Sequence, residues 1–168
     1  MSEKAMGYGT KRGDMLGDYG VISNVMKTVE NRFLLWLYEQ YHWKFIPILL
    51  GTVISAELED NQSDEADLMP YEVLDAQIKL ANDYMLSPIG TYLVLRSTFN
   101  KYEPADLKSW VRKYYSRLFT NVHKWVTSPE GQHDGRIDFD RERSMHLPTI
   151  ISLDWLASQF AELENSPD

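Results

Sequence analysis

Apolar residues repeat at helical spacing along most of this chain. The spacing of three and four is clearest over residues 104–122, and it predicts a long amphipathic helix that Pro104 opens. A second helix is predicted after Ser23 or Asn24, either of which can cap it. One face of that second helix carries an apolar residue at every fourth position: Val25, Val29, Phe33, Leu37 and Tyr41.

Prolines mark the starts of further predicted helices. Pro70 suits the start of a helix over about 71–85, and Ser87-Pro88 reads as a cap followed by a first-turn proline for a helix to about Phe99. Pro148 is expected to open a last helix, which continues to about Phe160. The chain is therefore predicted to be mainly α-helical.

Breaks and short strands account for the rest of the pattern. Pro47 and Gly51 are expected to interrupt the chain, and residues 54–70 form an acidic loop. At most two short strands are expected, around residues 21–23 and 48–54.

The composition limits the classes of protein to consider. A length of 168 residues, with 43% hydrophobic and 25% charged residues, is typical of one soluble globular domain. Cysteine is missing, which excludes disulfides and thiolate chemistry. A net charge of −8 argues against a nucleic-acid partner. We find neither an apolar run of membrane-spanning length nor a signal peptide, so we expect a cytoplasmic protein without a membrane partner.

A glycine-rich segment near the start suggests anion binding. Glycines allow backbone N–H groups to approach a phosphate closely, and four glycines lie between residues 9 and 20. The alternative is a turn with solvated charges. Charged side chains that could hold phosphate or Mg²⁺ lie in or near this segment: Glu3, Lys11, Arg12, Asp14, Asp18 and Lys27.

A second polar block follows at residues 55–75. It holds Ser55-Ala-Glu-Leu58 and Gln62-Ser-Asp-Glu65, and the latter is placed to cap the helix that begins near Pro70. Tyr71 and Asp75 lie four residues apart on one face of that helix. A solvated acidic loop and ordinary helix packing remain the alternatives.

Taken in order and at their spacing, these blocks resemble the synthetase domain of NAD⁺ synthetases, and most closely the glutamine-dependent type. Each motif is weak alone, but their common order makes the resemblance specific. It rests on Glu3, Thr10-Lys11, Gly13-Asp14, Asp18, Lys27-Thr28, residues 55–58, 62–65 and 71–75, and His123-Lys124.

The resemblance implies ATP and Mg²⁺ as cofactors and nicotinic acid adenine dinucleotide as substrate. ATP would adenylate the nicotinate carboxylate, and ammonia would then convert the adenylate to NAD⁺ and AMP. In such a reaction the protein mainly neutralises charge and positions reactants. The implied roles are a Mg²⁺ ligand for Glu3, phosphate contacts for Lys27 and Ser55, and nucleotide or dinucleotide contacts for Thr10, Lys11, Asp14, Asp18, His123 and Lys124.

The chain also departs from the family pattern. It lacks a Ser-Gly-Gly-x-Asp-Ser loop for ATP, the parallel strands before the Glu3 segment and a glutaminase domain with its cysteine nucleophile. The resemblance therefore implies that residues 1–168 are the C-terminal, mainly α portion of a Rossmann-like ATP-pyrophosphatase domain. The missing synthetase and glutaminase portions would be its partners, and the full enzyme is expected to be a homo-oligomer.

Other functions remain open at this stage. The chain could be a non-catalytic interaction module, because the helix from Pro104 carries a basic stripe that suits an acidic partner. It could also be an inert fragment or another ATP-pyrophosphatase relative. For His123 the alternative is a helix-end histidine bound to carbonyl groups. The stripe consists of Lys108, Arg112, Lys113, Arg117 and Lys124, and a solvated face is its alternative.

Overall fold

The computed structural model describes residues 1–8, 17–52, 63–125, 127–132, 135–139 and 154–167. Helices dominate these residues, as the apolar spacing predicts. The helices are α1 Ser2–Ala5, α2 Lys27–Tyr41, α3 Phe45–Gly51, α4 Asp64–Asp67, α5 Tyr71–Ile78, α6 Pro88–Thr98, α7 Pro104–Thr120, α8 Val122–Trp125 and α9 Asp154–Glu164.

The core lies where α5, α6, α7 and α9 pack against one another, with α1 against α5. The predicted helix from Pro104 is confirmed as α7, which buries its apolar face through Leu107, Val111 and Leu118. The predicted cap of α6 is confirmed as well, because Ser87 Oγ accepts a hydrogen bond from Gly90 N at 3.3 Å.

A π-helical segment, Lys79–Asp83, extends α5 toward the end predicted from sequence. Asn82 in this segment is buried, and its Nδ2 donates to Tyr114 Oη on α7 at 2.5 Å. A buried polar group costs free energy unless it is hydrogen-bonded, so this bond ties α5 and α7 together in one register.

Helices α2 and α3 differ from the prediction in two ways. Residues 48–51 belong to α3 and not to a strand, because Pro47 sits in the first helical turn, where its missing N–H needs no partner. The apolar stripe of α2 is largely exposed: Phe33 is 55% exposed and Tyr41 is 57% exposed. In the described part of the chain, this helix pair presents a broad apolar surface to solvent.

Two strands of two residues each form a small parallel sheet. Tyr19–Gly20 pairs with Glu130–Gly131, so the predicted strand at residues 21–23 begins two residues earlier and gives way to a turn. A side chain at residue 131 would collide with Ser23, and glycine therefore permits this close approach. None of the described helices combines the length and apolar character that a membrane span requires.

Candidate functional site

The candidate site forms where α1 and the start of α2 meet one face of α5. Ser2 and Glu3 lie side by side on α1, and Lys27 is the first residue of α2. Long-range packing thus unites parts of the two polar blocks that lie up to 73 residues apart in the sequence.

Glu3 and Lys27 form the charged centre of this site. Lys27 Nζ lies 3.7 Å from Glu3 Oε1 and 3.4 Å from Glu30 Oε2. The Lys27 side chain is 18% exposed and that of Glu3 is 41% exposed. Because water screens pairs this exposed, each contributes at most about 1 kcal/mol to stability, and both groups remain accessible to a ligand.

Tyr71 joins two carboxylates at the edge of this centre. Its hydroxyl donates toward Glu3 Oε1 at 3.0 Å and Asp64 Oδ2 at 3.3 Å. Burial raises the pKa of Asp64, the charge of Glu3 raises it further, and the Tyr71 hydrogen bond lowers it. Burial, followed by these two carboxylates, also raises the pKa of Tyr71. The Tyr71 hydroxyl therefore stays protonated and acts as a donor.

Asp75 and Ser2 cap α2 from outside it. Asp75 Oδ1 accepts from Ser2 Oγ at 2.5 Å, and Asp75 Oδ2 accepts from Thr28 N at 2.8 Å. Ser2 Oγ in turn accepts from Lys27 N at 2.9 Å. The predicted caps Ser23 and Asn24 are wrong, since α2 begins later, with Met26 at the cap position and no side-chain bond from it.

A cleft of about 460 Å³ opens beside this centre. The paired strands Tyr19–Gly20 and Glu130–Gly131 bring the segment after α8 into its lining. The cleft combines charged groups with exposed apolar ones, a mixture that suits a ligand with both phosphates and flat rings. Its lining includes Glu3, Lys27, Glu30, Tyr19, Ile22 and Pro129.

Lys124 and Asn121 bind the backbone that follows α1. Lys124 Nζ donates to Gly7 O at 2.7 Å, and Asn121 Nδ2 donates to Met6 O at 3.0 Å. His123 is exposed, with its Nδ1 3.2 Å from Thr120 O. The structure thus brings Lys124 to the end of α1. His123 instead contacts a carbonyl at the end of α7, as expected for a helix-end histidine without a ligand role.

The other predicted site residues divide into two groups. Asp18 lies exposed just before the strand at Tyr19. Thr10, Lys11, Asp14 and Ser55 lie outside the described residues. The predicted cap of α5 is confirmed through Glu65, whose Oε1 accepts from Tyr71 N at 2.9 Å.

The basic stripe of α7 and α8 holds other parts of the same chain. Lys108 Nζ donates to Ser166 O at 2.8 Å, and Lys113 Nζ donates to Asp67 O at 3.0 Å. Arg112 pairs with Glu164 at 3.0 Å, and Arg117 lies over the ring of Tyr8. These contacts weaken the hypothesis that the stripe docks an acidic partner.

Sequence reasoning assigned no role to Asp64, Tyr71, Asp75 or Ser2. The signal for two of them was present, because residues 71 and 75 share a helix face. Their targets on α1 and α2 could not be inferred, since those contacts span 47 to 73 residues of sequence.

The donor chemistry fits Mg²⁺ bound together with a phosphate ligand. Among the described residues, no group of three or more His, Cys, Asp or Glu side chains is placed to hold a metal ion. Mg²⁺ usually takes one or two carboxylates and completes its shell with phosphate oxygens and water. The accessible carboxylate of Glu3 satisfies that limited requirement.

Comparisons with known proteins identify relatives of this chain. The glutamine-dependent NAD(+) synthetase of Thermotoga maritima is 33% identical over 116 residues, which cover 67% of this chain and 19% of that protein. The enzyme of the same name from Mus musculus is 24% identical over 163 residues, covering 92% of this chain and 22% of that protein. The chain thus spans about a fifth of the length of these curated relatives.

A solved structure shows the same fold. The crystal structure of a glutamine-dependent NAD(+) synthetase from Cytophaga hutchinsonii matches with a TM-score of 0.77 at 24% identity. The match covers 97% of this chain and 25% of that one. The predicted fold class is confirmed: a mainly helical portion of an ATP-pyrophosphatase-like domain. The family model described as NAD synthase matches residues 1–103, which hold α1, α2 and α5, and the chain therefore belongs to the NAD synthase family.

Proposed function

We propose that this chain acts in NAD biosynthesis as part of the synthetase site that converts nicotinic acid adenine dinucleotide to NAD⁺. The observation that carries the proposal is the Glu3–Lys27 pair at 3.7 Å, which faces a cleft of about 460 Å³ inside the segment matched by the NAD synthase family. The names of the relatives support glutamine as the source of ammonia in the complete enzyme.

The reaction requires negative charge to accumulate around phosphates. The nicotinate carboxylate would attack the α-phosphorus of ATP and release pyrophosphate, and ammonia would then attack the acyl adenylate and release AMP. Lys27 would donate to phosphate oxygens, and its first-turn position on α2 adds the favourable end of the helix dipole. Thr10, Lys11, Asp14, Asp18, Ser55, His123 and Lys124 are proposed as further ligand contacts.

Glu3 is the proposed Mg²⁺ ligand. When bound, Mg²⁺ would neutralise charge on the phosphate oxygens. Tyr71 donates to Glu3 and so turns its carboxylate toward Lys27 and the cleft.

The exposed face of α2 and α3 supports a larger assembly. Stacked aromatic rings cover this face. The ring centroids of Tyr41 and Trp43 are separated by 5.1 Å, and those of Trp43 and Phe45 by 5.8 Å. Ile48 on the same face is 72% exposed. An apolar face this extensive is typical of a contact surface. We propose that the remaining synthetase portion, or a second copy in a homo-oligomer, covers it in a cytoplasmic enzyme.

The first experiment measures binding and turnover together. The purified chain is given nicotinic acid adenine dinucleotide, ATP, Mg²⁺ and ammonium, while dinucleotide binding is followed by calorimetry. We expect binding without NAD⁺ formation. Turnover would show that this chain is a complete catalyst and would overturn its assignment as part of a site. Neither turnover nor binding would favour an interaction module or an inert fragment.

Two variants with matched controls locate the binding. Lys27→Ala and Glu3→Gln should weaken Mg²⁺-dependent binding about tenfold or more, since each removes a charge-assisted contact. Lys44→Ala and Glu39→Gln make the same changes at exposed positions of the α2–α3 hairpin and should bind like the unmodified chain. Equal losses in both pairs would show that overall charge, not this site, governs binding.

A further inference from the structure

Asp75 connects the two elements that carry the candidate site. It is 5% exposed, and both of its carboxylate oxygens are used: Oδ1 accepts from Ser2 Oγ on α1, and Oδ2 accepts from Thr28 N on α2. A buried carboxylate is stable only when its oxygens are satisfied, and here the donors come from two elements distant in sequence.

These bonds replace the missing cap of α2. The first N–H groups of a helix need acceptors, and the side chain of Met26 at the cap position supplies none. Thr28 N is served by Asp75, and Lys27 N is served by Ser2 Oγ. The carboxylate of Asp75 also lies at the positive end of the α2 dipole, where a negative group stabilises the start of a helix.

The same face of α5 holds both charged groups of the site. Asp75 anchors Ser2 and Thr28, which are the sequence neighbours of Glu3 and Lys27. One helical turn earlier, Tyr71 binds Glu3 directly. The two sides of the Glu3–Lys27 pair are therefore fixed to one rigid element.

We propose that Asp75 is a positioning residue: acting through Ser2 and Thr28 N, it holds the first turn of α2 so that Lys27 and Glu3 face the same cleft. The inference rests on the proposed function and adds a residue outside its ligand contacts.

The first test reads the cap itself by amide hydrogen exchange, followed by NMR on the intact chain. In Asp75→Ala, exchange at Lys27 and Thr28 should quicken roughly five- to tenfold, as loss of a helix cap predicts. Asp75→Asn keeps one acceptor oxygen and should show a smaller change. Glu72→Gln, on the same helix but directed toward Tyr102, is the control and should leave these two amides unchanged.

The second test separates positioning from general stability. Dinucleotide affinity is measured for Lys27→Ala, Asp75→Ala and the double variant well below their melting temperatures. Asp75→Ala should weaken binding about tenfold. Adding Lys27→Ala to the Asp75→Ala variant should weaken dinucleotide binding little further, because Lys27 is already misplaced in that variant. A purely structural role predicts additive losses, so additivity would overturn the proposal.

The two proposals fail in different ways. If the unmodified chain binds no dinucleotide, the proposed function fails, and the exchange rates still decide whether Asp75 holds the start of α2. If the chain binds dinucleotide but exchange at Thr28 is unchanged in Asp75→Ala, the positioning role fails and the proposed function stands.

Discussion

The hydroxyl that Tyr71 shares between two carboxylates offers a sharp test of the site's energetics. Replacing Tyr71 with Phe removes only that oxygen and leaves the ring in place. Glu3 Oε1 at 3.0 Å and Asp64 Oδ2 at 3.3 Å then lose the single proton that this hydroxyl shares between them. Asp64 is buried, so water cannot replace its lost bond fully.

The expected loss follows from these exposures. A hydrogen bond to a charged group contributes about 1.5–3 kcal/mol when buried. The Glu3 side chain is 41% exposed and recovers part of its loss from water, whereas Asp64 does not. We therefore expect the free energy of unfolding to fall by about 2–3 kcal/mol. For a chain of this length that lowers the melting temperature by roughly 4–12 °C.

Tyr102 supplies a matched control for this change. Its hydroxyl also donates to a carboxylate, Glu72 Oε1, at 2.6 Å. Glu72 is 42% exposed and keeps Lys101 as a partner at 2.5 Å. Tyr102→Phe should therefore cost less than about 1 kcal/mol.

The pH dependence tests the cause of the loss. The Tyr71 hydroxyl favours the charged form of Asp64, so removing it raises the pKa of Asp64 further above its usual range. A carboxyl whose folded-state pKa is raised contributes stability at low pH that is lost as pH rises through that pKa. The difference in free energy of unfolding between the Tyr71→Phe variant and the unmodified chain should thus become smaller from pH 7 to pH 3.5, as measured by thermal and urea unfolding. A loss no larger than that of Tyr102→Phe, or a gap equal at both pH values, would refute the reasoning.

Three further predictions follow from the same structure. Asp64→Asn should raise the melting temperature at pH 7, because it removes a buried charge near Glu3 while its amide oxygen still accepts from Tyr71. At pH 3 the native carboxyl is protonated, so calorimetry should show no gain in melting temperature. A gain of equal size at pH 3 would contradict the role given to the buried charge. Gly7→Ala should lower the free energy of unfolding, measured in urea, by about 2–4 kcal/mol, since residue 7 has φ +57° and a Cβ there would lie 2.5 Å from Asn121 Cβ. The control Gly51→Ala has open space around it and should leave the free energy of unfolding unchanged. Equal losses in the two variants would show that the contact with Asn121 is not the cause. Ile48→Glu should reduce the concentration-dependent association seen by sedimentation velocity if a second copy of the chain covers the α2–α3 face. If the chain is monomeric at all concentrations, with or without this substitution, self-association through the face is excluded.

Sequence alone predicted the helices well where a local rule applied. Three such predictions depend on neighbours within a turn or two, and the structure confirms them: the α7 spacing, the Ser87-Pro88 start of α6 and, within the predicted cap, the bond of Glu65 to the start of α5. Local rules failed at α3, because the position of a proline within a helix decides whether it breaks that helix.

The resemblance also predicted that Glu3 and Lys27 share a site, and the structure places them together. The roles assigned to Glu3 and Lys27 stay predictions, as do those of the other ligand contacts: Thr10, Lys11, Asp14, Asp18, Ser55, His123 and Lys124. The basic stripe on α7 shows the limit of pattern reasoning, because its charge was visible in the sequence while its partners on the same chain were not.

Motif order and periodicity thus determined the family and the helical class, and motif order predicted that Glu3 and Lys27 belong to one site. Only the tertiary structure decided that Asp75 caps α2, that Tyr71 joins Glu3 to Asp64, and that the apolar face of α2 points outward. The reason is physical: helical periodicity reflects contacts within a few residues. The bonds of Asp75 and the bond from Tyr71 to Glu3 instead close over 47 to 73 residues and exist only once the helices have packed.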